Sequence, residues 1–157
     1  MAVMIRPALL FFFLLSQAGF VDAEDVTLDS IDQLRWSSRV ILVKIDNDDH
    51  QTLTLLENAE QEINERHINW FVFTRNTFYS NFKNRIGRDF RSQTLSQYLG
   101  ADDRVVLLGK DGYVKLKSAT LELEKIFELI DSMPMRQMEM TSQSCLLYTS
   151  DAADDFA

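Results

Sequence analysis

Residues 105–117 read Val-Val-Leu-Leu-Gly-Lys-Asp-Gly-Tyr-Val-Lys-Leu-Lys, and the order of the other elements follows from this stretch. Val105 to Leu108 is an unbroken apolar run, the pattern of a strand covered on both faces. Asp111-Gly112 supplies a residue able to take positive φ, so the chain can reverse there. The following strand alternates, with Val114 and Leu116 directed to one side and Tyr113, Lys115 and Lys117 to the other. Repeated lysines on one face suit an edge strand that must not pair with another molecule. An anion-binding role is the other use of such lysines. The hairpin itself contains no group that performs chemistry.

Working outward, Val40 to Ile45 is a second apolar strand, placed at the centre of a sheet with helices on both faces. Before it, Asp29 to Leu34 reads as a capped helical turn leading to Arg35-Trp36, with Trp36 expected to pack over the start of the sheet. After it, residues 49–66 read as one helix with Leu53, Leu56, Ala59 and Ile63 near one face. Asn69 to Arg75 is the next strand, parallel to the first through a right-handed βαβ crossover. Residues 76–88 show no regular period. A short helix is expected from Ser92 to Leu99, stopped by Gly100. A helix from Ala119 to Ser132 carries Leu123, Ile126, Phe127 and Ile130 at i, i+3, i+4 and i+7, and Pro134 ends it. The order predicts an α/β, thioredoxin-like fold: a four-stranded mixed sheet, its first strand central, with helices on both faces.

The 157 residues allow one domain. Arg6, an apolar run from Ala8 to Leu15 and the small-x-small pattern Val21-Asp22-Ala23 read as a signal peptide over residues 1–23. The apolar run is shorter than the roughly 18 residues of a membrane span. The domain then covers residues 24–140. Residues 145–157, opening Cys-Leu-Leu-Tyr-Thr-Ser, resemble the conceptual translation of a transposase sequencing adapter. Cys145 is the only cysteine, so residues 24–144 have no thiol for peroxide reduction, disulfide exchange or metal binding. A net charge of −8 argues against a nucleic-acid partner. Two histidines, no Gly-x-Ser-x-Gly elbow and no glycine-rich phosphate loop leave nucleophilic catalysis without support.

Three segments carry a family resemblance: Leu34-Arg35-Trp36, then Leu108-Gly109-Lys110-Asp111-Gly112, then Ile130 to Met140 with Met133-Pro134-Met135-Arg136 at its centre. Together they resemble domain of unknown function 4174, found in exported bacterial proteins and in sushi-repeat matrix proteins of animals. The resemblance implies a thioredoxin-like fold related to peroxiredoxins, an extracytoplasmic setting and no established activity. It also marks two departures from the thiol members of that superfamily. Asp46 to His50 stands where their reactive cysteine follows the first central strand, and no proline precedes Val105.

Three groups of residues are candidate sites. Asp46, Asp48, Asp49 and His50, at the carboxyl end of the central strand, have the ligand chemistry of a divalent cation. An N-cap and a solvated loop explain the same residues. Arg75, Arg85 and Arg88, with Lys83 and Arg91 interleaved among aromatics, could converge on an anion or simply be solvated. Met133, Met135, Met138 and Met140 could ligate Cu(I) or be oxidised reversibly, or fill gaps at a helix end. In the same segment Arg136 could pin the chain to a carboxylate on the sheet. The expectation is an exported, cysteine-free binding or interaction module with no cofactor and no membrane span after signal cleavage. Its partner would be another protein or a small ligand. The rival readings are an oxidoreductase of peroxiredoxin ancestry and a small metal- or anion-binding protein.

Overall fold

Alternating apolar residues build the centre of the molecule. In β1 (Arg39–Lys44), Val40 and Leu42 face one side of the sheet while Ile41 and Val43 face the other, and all four are buried. A computed structural model describes residues 27–46 and 50–151, with side chains through residue 142. The expected signal peptide, Asp48 and Asp49, and the side chains of the adapter-like segment lie outside the described residues.

The sheet has five strands in the order β3-β2-β1-β4-β5, so the mixed α/β class holds and the expected count of four is corrected to five. β2 (Ile68–Phe73) runs parallel to β1, with Arg39 opposite Ile68 and Lys44 opposite Phe73. β4 (Val105–Leu108) is antiparallel to β1, and β5 (Val114–Ser118) is antiparallel to β4 at one edge. The additional strand is β3 (Phe78–Ser80) at the other edge. Its three residues are too few to show a period, which is why sequence pattern alone leaves them irregular. A register irregularity between Leu107 and Leu108 opens β5, and Val114, expected on the same side as Leu116, is exposed while Leu116 is half-buried.

The helices cover both faces. α1 (His50–Asn58), α2 (Glu60–Glu65) and α4 (Leu123–Asp131) bury Leu56, Ile63, Ile126 and Ile130 against Ile41, Val72 and Leu107. The single helix expected over residues 49–66 is therefore two helices, broken at Ala59 with no proline or glycine to mark it. On the opposite face, a 3-10 turn at Ile31–Leu34 and α3 (Phe90–Tyr98) cover Leu42, Phe71, Phe73 and Val106. Ser30 and Gln33 form a capping box that fixes the start of the 3-10 turn. Pro134 does follow the end of α4, but it also begins α5 (Pro134–Asp151). Proline suits that first helical position, where its missing N–H has no partner to lose.

Trp36 corrects another expectation. It is 69% exposed and does not cover the sheet. Its φ of 65° instead turns the backbone so that its amide donates to the Lys110 carbonyl at 2.6 Å. Beside it, Gly112 has φ 79°, and a Cβ there would lie 2.3 Å from Arg35 Nε, so only glycine satisfies both the turn and the contact.

Phe90 is fully buried, with its ring centroid 4.9 Å from Phe71 and 6.5 Å from Phe73. Removing a ring from such a site leaves a cavity as well as losing transfer energy. Phe90→Ala is expected to lower stability by about 3–5 kcal/mol, measured by urea unfolding; a loss below 1 kcal/mol would mean that Phe90 does not join the two layers.

Candidate functional site

Arg39, the first residue of β1, is 1% exposed. A buried guanidinium must find acceptors, and Arg39 Nη1 donates to the Arg66 carbonyl at 2.7 Å and to Glu139 Oε2 at 3.2 Å. Lys110, two residues beyond β4 and 9% exposed, places Nζ 2.8 Å from Glu139 Oε1 and 2.9 Å from His67 Nδ1. Arg136, in the first turn of α5, is also buried and donates to the Glu65 carbonyl at 2.7 Å and to Asp131 at 3.2 Å. Arg66 shares Asp131 at 2.6 Å and lies over the Phe127 ring. Three of these guanidiniums reach carbonyls in the last turn of α2, where the helix end is electronegative.

The cluster holds four cations, Arg39, Arg66, Lys110 and Arg136, against the carboxylates Asp131 and Glu139. It thus concentrates positive charge within a chain of net charge −8. Among the described residues, Arg39 Nε has no hydrogen-bond partner although it is buried, and the same holds of Arg91 Nε. Lys110 lines two cavities, of about 400 and 430 Å³. The first has Ser37, Asn64, His67 and Asn81 in its wall. The second is lined by Arg39, Lys110 and Lys115 together with Met133, Met135 and Met138.

Electrostatics follow from this geometry. Burial is the largest influence on Glu139 and pushes its pKa up, but hydrogen bonds from Lys110 and Arg39 and their charges hold it below 4.5. Asp131 is likewise held below 3.8, its burial outweighed by Arg66 and Arg136. His67 is lowered from 6.5 by burial and then by the Lys110 charge, with Glu139 opposing. A neutral His67 with Nδ1 accepting from Lys110 agrees with that direction. His67 has φ 51°, a left-handed turn that joins α2 to β2.

The three segments that carry the family resemblance meet here. Trp36 bonds to the Lys110 backbone, Arg35 packs on Gly112, and Met133, Pro134 and Met135 line the second cavity together with Gly109, Lys110 and Asp111. Arg136 does pin its segment to a carboxylate, but that carboxylate is Asp131 at the end of α4, off the sheet. The other expected sites lie apart. Asp46 is at the opposite end of β1, about 20 Å away by strand rise, and pairs with Arg104 at 3.1 Å. His50 is exposed, and Asp48 and Asp49 are outside the described residues. Among the described residues no group of three acidic, histidine or cysteine side chains is placed to hold a metal ion. Arg75, Arg85 and Arg88 are exposed, while Arg91 donates to the carbonyls of Thr74 and Arg75. No helix among the described residues is long and apolar enough to cross a membrane.

A mixed α/β domain with a cationic cluster between Arg39 and Glu139 is thus the class this chain defines. The family described as Domain of unknown function (DUF4174) matches residues 30–139, more than half of the chain, and the protein belongs to that family. Comparison with curated proteins and with solved structures gives no match.

The sequence pattern points to Lys110 and Arg136 but passes over Arg39, His67 and Glu139. Arg39 was legible as a charge at the mouth of an otherwise apolar strand. Glu139 stands three residues after Arg136, on the same helical face.

Since the folded pKa values of Glu139, Asp131 and His67 all lie below their unfolded values, the folded state binds fewer protons at acidic pH. Stability is therefore greatest above pH 6.5, begins to fall as His67 protonates in the unfolded chain, and falls more steeply below 4.5 as the carboxylates follow. Glu139→Gln is expected to cost about 2 kcal/mol at pH 7 and to flatten the acid limb. Urea midpoints measured from pH 7.5 to 3.5 test this, and an unchanged acid limb in the variant would remove Glu139 from the account.

Proposed function

We propose that this protein is an exported, thioredoxin-like binding module whose ligand is a small anion held by the cationic cluster. The observation that carries the reading is Arg39: it is buried, its Nε lacks a partner among the described residues, and it lines a cavity with Lys110 in a cluster of surplus positive charge. Arg39 and Lys110 share the one carboxylate of Glu139, and burying charge in excess of its counter-charge is a cost that an incoming anion would relieve. The thioredoxin-like relationship is supported by the central position of β1, its parallel pairing with β2 and the antiparallel β4-β5 hairpin beside it. Export to the periplasm or the cell exterior is supported by the sequence pattern of residues 1–23. Peroxiredoxin-type chemistry needs a thiolate, and residues 30–139 contain no cysteine.

Thermal unfolding in phosphate, sulfate and a series of carboxylates, at constant ionic strength against chloride, tests the proposal. A ligand at 100 times its dissociation constant stabilises the fold by about 2.7 kcal/mol, a shift of several degrees for a domain of this size. The shift should appear with at least one anion and vanish in Lys110→Met. Equal midpoints in every anion would sink the proposal, as would a shift that Lys110→Met retains.

A further inference from the structure

The second cavity has a mixed lining, and its polar and apolar parts suit different parts of one ligand. Arg39, Lys110 and Lys115 line it together with Asp111. Met133, Met135 and Met138, with Leu129 and Pro134, supply the apolar part of its wall. Met138 is 62% exposed, although a methionine in the first turns of a helix normally turns toward a core. Methionine side chains are unbranched and polarisable, so such a wall adapts to varied apolar shapes. The cavity measures about 430 Å³, room for roughly fourteen water-sized groups, and is too large to be explained by an inorganic anion alone. Inorganic phosphate or sulfate would satisfy the cations and leave the methionines wet.

Resting on the anion-site reading above, we infer that the ligand is an amphiphilic carboxylate, its head group at Lys110 and Arg39 and its hydrocarbon body along Met133, Met135 and Met138. Glu139 already shows which chemistry the cations accept. Its carboxylate is bridged by Lys110 and Arg39 at 2.8 and 3.2 Å, and a second carboxylate would take the N–H groups those two residues have left, Arg39 Nε among them. The surplus charge of the cluster permits both carboxylates together. Lys115 is neutralised by Asp111 at 2.6 Å, so the surplus charge of the lining belongs to the more buried Arg39 and Lys110. A free hydrocarbon gains nothing from the cationic side, and an amine is repelled by it.

Titration of the protein with inorganic phosphate, acetate, butanoate, hexanoate and octanoate, with octanol and octylamine as controls, separates the two halves of the inference. Each methylene buried on the wall should tighten binding about threefold to fourfold until the cavity is full. Octanol should bind at least tenfold more weakly than octanoate, and octylamine should not bind. Met138→Gln, an exposed position where the fold is not at stake, should reduce the gain per methylene and leave acetate unchanged. If all carboxylates and phosphate bind alike, the amphiphile inference is overturned while the anion site stands. If octanol matches octanoate, the amphiphilic-carboxylate inference is overturned, and if none of the compounds binds, phosphate included, the anion site falls with it.

Discussion

The amino end of the sheet depends on keeping one guanidinium out of water. Arg39 opens the central strand and is 1% exposed, so its charge must be met by groups brought from elsewhere in the chain. Transfer of an unpaired ion to such a site costs several kcal/mol even after relaxation. The Arg66 carbonyl comes from the end of α2, Glu139 from α5, and Lys110 shares that carboxylate from the far side of β4. Four elements are thereby held in one arrangement that hydrophobic contact alone would not specify. The apolar layers above and below the sheet tolerate small shifts, because burial is not directional. Hydrogen bonds at 2.7 to 3.2 Å do not.

This constraint also explains why α5 belongs to the domain. The helix places Arg136 and Glu139 three residues apart on one face, and both point into the cluster. Arg136 reaches back to Glu65 and Asp131, which ties α5 to the ends of α2 and α4. With no cysteine between residues 30 and 139, no disulfide performs this closure. The polar cluster takes that part, and its dependence on ionised carboxylates makes the closure sensitive to acid in a way a disulfide is not.

Much of the fold was legible because buried strands and amphipathic helices leave strong periodic signals. Val40 to Ile45, Val105 to Leu108 and the Leu123, Ile126, Ile130 stripe all announce their elements. β3 escaped because it is short and lies at an edge. The break at Ala59 escaped because no proline, glycine or other helix-breaking residue marks it. Trp36 was misplaced for an instructive reason: a large apolar side chain ordinarily reads as core, but here the left-handed backbone sets its direction. Its contribution is made by the main-chain N–H.

The site was legible only in part, and the reason is physical. Pattern reading favours clusters that are close in sequence, so it gathered Asp46 to His50 and the arginines from 75 to 91. A buried cluster is assembled by topology, and its members stand 100 residues apart in the case of Arg39 and Glu139. Within each segment the relevant residue is an isolated charge among apolar neighbours, Arg39 before Val40-Ile41-Leu42 and Glu139 between Met138 and Met140. An isolated charge in such a setting requires a partner, because desolvation is not tolerated without one. The same requirement orders the two ends of the sheet differently. At the carboxyl end Asp46 and Arg104 are each about half exposed, and water can screen either one. At the amino end the charges are more enclosed, and among the described residues Arg39, Arg66, Lys110 and Arg136 meet only the carboxylates Asp131 and Glu139. The anion site proposed above therefore lies at the amino end of the strands, where charge is buried in surplus, and not at the carboxyl end, where water screens it.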